Sequence, residues 1–393
     1  MKNNVTLIVL KKELLDIFRD KKTLIIGILI PIIIFPVIFG VMGRSMDNTT
    51  KSVENNLKIA VKDDGNSSLS KFIKSQKNIK VVDSSNIDED VKNGKIYVGM
   101  EIPKDFDKDI QQEKDINVNI TYDNVSQQSS EAMNIINSYI DQYSKVVVKT
   151  RLDKRNINTS ILTPVTIQSK TSAKEKDSQG KMVISLMLPL LLIIYSVSGP
   201  IAPATDLGAG EKERGTLEPL LTTQAGRLSL LWGKFLAITI MGAITTAASL
   251  TGLFIAMSQK NGIFSGVSVQ FPLKAVLLIA LVSVLITMVF GALELAISIY
   301  ARSFKEAQTY LSPLMIVAFI PAYGTYMLDA KSIDPMYFHI PLANASCLIK
   351  ELVSGIYNAQ HMFITFGWIA VYVLASILFA RYMFSREDVI FRT

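Results

Sequence analysis

Six apolar runs, each about 20 residues or longer, set the limits on what this chain can fold into: residues 23–43, 182–204, 229–257, 273–299, 308–328 and 362–384. Roughly 20 apolar residues rising 1.5 Å each cross the ~30 Å hydrocarbon core of a bilayer. Within that core only a helix or a closed barrel satisfies every backbone polar group. The runs are helical in length, so the fold class is membrane α-helical with six transmembrane helices. Charged residues make up 19% of the chain, below the ~25% of a soluble domain.

The polar stretches between the runs divide the chain. Residues 1–22 read as an interfacial amphipathic helix, with Val5, Ile8, Val9, Leu15 and Phe18 on its apolar side and Lys11, Lys12, Arg19, Lys21 and Lys22 supplying positive charge. No Ala-x-Ala cleavage site follows the first run, so 23–43 reads as an uncleaved span, kinked at Pro31 and Pro36. Residues 44–180 form a large extracytoplasmic α/β domain between spans 1 and 2. Its strand-like runs are 57–61, 79–82, 96–100 and 116–122, followed by a long helix over 126–155 and a polar leash over 159–177. Residues 181–393 are a five-span transmembrane domain. Lys and Arg concentrate in 1–22, 205–228, 300–307 and 385–393, which places these pieces and both termini in the cytoplasm.

The most informative of those pieces is the loop 205–228. Glu211, Lys212, Glu213 and Arg214 open it, Gly215 interrupts it, and Thr216 stands where it caps a new turn containing Pro219. Leu217, Leu220 and Leu221 fall on one face of that turn with Glu218 beside them. Such a turn either rests on lipid headgroups or docks into a soluble partner.

Other candidates are sparse. Glu294 lies inside an apolar run, where a charge is costly and marks a translocation path or a pair with Arg302 or Lys305. Gly242, Ala243, Thr245, Thr246, Ala247, Ala248, Ser249 and Gly252 make one run rich in small residues, suited to close helix packing. Residues 341–355 are too short to span and read as a re-entrant or interfacial helix on the outer side. His339 and His361 stand too far apart to suggest a metal pair, and a metal site is not legible. Cys347 is the single cysteine, so no disulfide forms within the chain. No phosphate-cradling G-x-x-x-x-G-K-[ST] is present and no catalytic residue is assigned. Basic and acidic residues nearly balance between Arg44 and Lys176, which gives no basic face for nucleic acid.

The stretch GEKERGTLEPLL, followed by Arg227 and Gly233-Lys234, resembles the cytoplasmic loop of ABC-2-type exporter permeases, most closely the sodium-efflux (Nat-type) branch. Ser303 to Gln308 and the segment 341–355 resemble the same family. The resemblance implies that Glu211, Glu213, Arg214, Gly215, Thr216, Leu217, Glu218, Leu220 and Leu221 contact a separate ATPase subunit, and that Lys305 and Glu306 form a second cytoplasmic contact. It implies a permease homodimer with two ATPases in a bacterial cell membrane, exporting sodium, with ATP and magnesium bound by the partner and no cofactor by this chain. An alternative is a membrane-anchored receptor or secretion-associated protein whose outer domain is the working part. Such a protein needs no coupling loop.

Overall fold

The computed structural model describes residues 2–162, 175–223, 225–259, 263–264 and 271–390, with backbone alone at 2–4, 175–181, 221 and 390. Its contacts divide the chain into two compact units, residues 1–41 with 171–393, and residues 42–170.

The second unit is an α/β layer structure. A four-stranded sheet has the order β2-β1-β3-β4, built from β1 (Leu57–Asp63), β2 (Ile79–Val81), β3 (Val98–Ile102) and β4 (Asn119–Tyr122). β1 is parallel to both neighbours and β4 runs antiparallel to β3. Alternating side chains serve the two faces. Leu57, Ile59, Val98 and Met100 pack against Ala132 and Ile136 of the helix Gln127–Lys154, which Ser126 caps through the Ser129 N–H. On the opposite face the pair Ala60–Gly99 leaves room for Ile87, because a β-carbon on Gly99 would overlap that side chain. The predicted strands lie within a few residues of the observed ones. Most of the predicted leash falls outside the described residues, and the chain is helical again from Glu175.

The first unit is helical. For the argument that follows, α1 is Lys2–Arg19, α2 Lys21–Asn55, α3 Glu175–Thr205 with its continuation, α4 Leu217–Thr222, α5 Arg227–Met257, α6 Leu273–Tyr300, α7 Phe304–Gly324, α8 Ala343–Val353 and α9 Ala359–Ser385. Among the described residues five helices are long and apolar enough to cross a membrane: Lys21–Asn55, Met182–Glu213, Arg227–Met257, Leu273–Tyr300 and Ala359–Ser385. The expected span over 308–328 is present as α7 but is not one of the five. Gln308, Thr309, Tyr310, Pro313 and Pro321 dilute its hydropathy.

Two features differ from the sequence reading. α1 ends at Arg19, and the Asp20 carboxylate caps a fresh helix by accepting from the Lys22 and Thr23 N–H groups. The expected kink near Pro31 is a π turn over Ile25–Leu29, which absorbs the hydrogen bond that the proline cannot make. All residues of α8 from Ala343 to Val353 are buried among other helices, with no exposed face. Lys350 on it donates to the Tyr326 carbonyl at 2.6 Å and the Leu328 carbonyl at 3.1 Å. His361 meets Glu351 at 2.7 Å, and His339 accepts from the Trp368 indole at 3.1 Å, so both histidines serve internal contacts.

Small residues on α5 allow backbones to touch. A β-carbon on Gly252 would stand 2.6 Å from the Pro31 carbonyl oxygen and 2.9 Å from that of Ile32. The neighbour is backbone and cannot rotate away. Gly252→Ala should therefore push α2 off α5 and destabilise the chain by about 1–3 kcal/mol. A lowered thermal midpoint in detergent checks this. An unchanged midpoint would mean that α2 gives way freely.

Candidate functional site

Glycine 233 begins the site. A β-carbon there would lie 2.5 Å from Val9 Cγ1 and 3.2 Å from the Leu10 N–H nitrogen, so its absence lets α1 lie directly on α5. Val9, Glu13 and Ile17, spaced at i, i+4 and i+8, form the buried face of α1. Leu7, Ile8, Leu15 and Phe18 remain exposed on other faces, so the apolar stripe expected on this helix is split in two.

A buried glutamate on that face needs a counter-charge, and Lys234 supplies it. The two side chains are fully buried and their charged atoms are 3.0 Å apart. Lys234 also meets Glu211 Oε2 at 2.6 Å, a charge contact without hydrogen-bond alignment. Lys12 completes the group, reaching Glu211 Oε1 at 2.7 Å and Glu13 Oε2 at 3.1 Å. Two cations and two carboxylates thus join α1, α5 and the end of α3. Burial acts to lower the Lys12 pKa, but Glu211 and Glu13 outweigh it and hold the ammonium above its ordinary value. Because the folded value is the raised one, the contribution of Lys12 is complete below about 10.4 and is lost only as pH rises further.

Glu211 can sit there because α3 does not stop at the membrane boundary. It continues through a π turn, Asp206–Gly210, into Glu211–Glu213. Gly208 and Ser298 make the turn possible. The Ser298 hydroxyl accepts from the Ala209 N–H at 2.9 Å and donates to the Thr205 carbonyl at 3.2 Å, while a side chain on Gly208 would strike Ile299 backbone at 3.1 Å. The next two residues fasten two further helices. Lys212 Nζ donates to the carbonyls of Ile299 at 2.7 Å and Ala301 at 3.3 Å, filling acceptors that the end of α6 leaves free, and to that of Val389 in the turn Glu387–Ile390 at 2.7 Å. Glu213 Oε2 accepts from the Phe304 N–H at 2.8 Å at the start of α7, where negative charge is favoured. Arg214 folds back onto Asp206 at 2.7 Å.

Gly215 then turns the chain with φ +66, a conformation that favours glycine. Thr216 precedes α4 but does not cap it, because its hydroxyl donates backward to the Glu211 carbonyl at 3.2 Å. Leu217 is buried in the apolar cluster that also holds Ile17, Leu231 and Phe235, which pins α4 down. Glu218 and Pro219 face outward and Leu220 is half-buried, while the Leu221 side chain lies outside the described residues. Between α1 and α4 an open pocket of about 450 Å³ is lined by Lys12, Asp16, Arg214, Pro219 and Leu220, among others. At the segment Ser303–Gln308, Glu306 is occupied locally. It accepts from the Arg302 N–H at 2.8 Å and from the Tyr310 hydroxyl at 2.5 Å, and Ser303 accepts from the Glu306 N–H at 3.2 Å. Lys305 is exposed. Glu294 is fully buried, and neither of its oxygens has a hydrogen-bond partner, so the pairing with Arg302 or Lys305 does not form.

Of the residues that the sequence reading assigned to a partner, Glu211, Glu213 and Leu217 are engaged inside this chain. That reading missed Glu13 and passed over Lys12 and Lys234 as members of a cluster. The available signal was an acid, Glu13, at i+4 from Val9 and i−4 from Ile17, and a lone lysine between Leu230 and Ile238.

The chain is mostly helical, with several membrane-length helices and a charged, internally braced segment after the second of them. The family described as ABC-2 family transporter protein matches residues 21–382, and the chain belongs to that family. It is 31% identical over 389 residues to the ABC transporter permease protein NatB of Bacillus subtilis (strain 168), covering 96% of this chain and 97% of that one.

Removing one member of a buried ion cluster leaves an uncompensated charge, at a cost of about 3–5 kcal/mol. Lys234→Met should lower thermal stability by that order. The pair Lys234→Met with Glu13→Met leaves Lys12 and Glu211 balanced and should recover most of the loss. Melting curves of the three variants decide the matter, and a double variant as damaged as the sum of its parts would show that charge balance is not the cause.

Proposed function

We propose that this chain is the permease subunit of an ATP-driven exporter of sodium ions, worked by a separate ATPase through the surface of the loop 205–228. On this reading there are six spans, with α7 as the fifth, and both termini and this loop lie in the cytoplasm of a bacterial cell with residues 44–180 outside. The exposed Ile316, Val317, Phe319 and Ile320 on α7 support its counting as a span. A homodimer with two ATPases follows from the family resemblance, with ATP and magnesium on the partner. The observation that carries the reading is the bracing of the loop. Glu211, Lys212 and Glu213 each tie it to a different helix end, so a push on α4 would move several spans together. Glu218, Pro219, Leu220 and Lys305 are the groups left to meet a partner, with the neighbouring pocket as a socket.

Glu218→Arg tests this directly, because Glu218 is exposed and the fold does not use it. Reversing a charge at an interface should weaken capture of the ATPase by about tenfold or more, while the permease elutes from size exclusion as before. Co-purification at the wild-type level would count against the coupling surface.

A further inference from the structure

We propose that Glu294 is the carboxylate of a monovalent-cation site enclosed by α3, α5 and α6 within a single chain. The ion is sodium if the export reading above holds, and the inference rests on that reading for the ion's identity. Between Lys274 near its start and Tyr300 at its end, α6 is apolar except for one buried stripe, Ser283, Thr287, Gly291, Glu294 and Ser298, whose three- and four-residue spacings keep it on one face. Contacts on either side of Glu294 show where the stripe points. A β-carbon on Gly291 would meet Ile238 of α5 at 2.8 Å and Pro200 of α3 at 3.7 Å. One turn further on, Ser298 donates to the Thr205 carbonyl of α3 at 3.2 Å. Glu294 therefore faces the stretch of α3 between Pro200 and Thr205.

That stretch is continuous helix with two prolines inside it. Pro200 and Pro203 have no N–H to offer the carbonyls of Ser196 and Gly199, the acceptors that an unbroken α-helix would pair with them. Ser196, Gly199, Pro200 and Pro203 share one face and are all buried. A fully buried carboxyl with two unpartnered oxygens thus faces backbone released from its own hydrogen bonding. The carboxylate, a carbonyl freed by a proline and the Ser298 hydroxyl oxygen are hard oxygen donors, the kind that alkali and alkaline-earth cations take. The charge selects between those classes. Among the described residues no group of three or more acidic, His or Cys side chains gathers anywhere. A single carboxylate neutralises a monovalent ion and leaves a divalent one with excess charge in a medium of low dielectric. Because Glu294 is enclosed within the single chain, the site does not wait on a second copy.

The test is equilibrium binding of radiolabelled sodium to the purified full chain in nanodiscs, at mildly alkaline pH with choline replacing other cations. Wild type should bind saturably, and Glu294→Gln should lose about tenfold or more in affinity. Pro200→Ala restores an N–H to the Ser196 carbonyl without touching the carboxyl, and should weaken binding by a smaller factor in a chain at least as well folded. Absence of saturable binding to wild type, or binding unchanged in Glu294→Gln, would overturn the site. ATP-driven sodium flux in proteoliposomes with the ATPase separates the two readings. Flux equal in wild type and Glu294→Gln leaves export standing and removes this site. Saturable binding lost in Glu294→Gln, with no flux in wild type, keeps the site and removes export.

Discussion

The membrane unit depends on a buried balance of charge. Glu13 and Lys234 have no contact with water, and each alone would be prohibitively costly there. Together with Glu211 and Lys12 they sum to zero. The cluster therefore forms only when α1, α5 and the extended end of α3 are all in place. Gly233 sets its geometry by letting α1 approach until its Glu13 reaches Lys234. A hydrophobic contact of the same area would tolerate sliding. An ion cluster with short, directed contacts tolerates far less, so it fixes the register of three elements drawn from distant parts of the sequence.

The π turn at Asp206–Gly210 has a related consequence. It extends α3 beyond the apolar run without a flexible joint, so Glu211, Lys212 and Glu213 belong to the membrane helix rather than to a loop. A rigid extension suits a part that transmits force, because a hinge at that point would absorb displacement. The freedom begins only at Gly215, and Leu217 limits it again by burying in the apolar cluster that holds Ile17 and Phe235.

Local periodicity made much of this legible. The apolar runs, the long amphipathic helix beginning at the Ser126 cap and the strand rhythm of the second unit all follow from residues near one another in sequence. Gly215 was legible for the same reason, as a residue that ends a helix. The direction in which a charged residue faces was not. Glu211 and Glu218 look alike in a loop of mixed charge, yet one is buried against Lys234 and the other is exposed. The difference arises from partners on α1 and α5, which no local pattern encodes. The full burial of α8 was hidden for a similar reason. Its Lys350 and Glu351 look like surface charges until the Tyr326 carbonyl and His361 are brought to them.

Two kinds of buried polar group therefore coexist in the membrane unit, and they call for different explanations. The cluster around Lys234 is neutral and internally paired, and its value lies in fixing geometry. Glu294 is unpaired, so geometry alone gives no account of its being kept in an apolar helix. Its stripe also includes Ser298, the residue that holds the π turn of α3 together. Anything that changes the charge or occupancy at Glu294 acts one helical turn from the joint that carries Glu211, Lys212 and Glu213. An ion bound there would press on the same element that the loop moves, which is the physical requirement for an ion and a partner to influence one another through this fold.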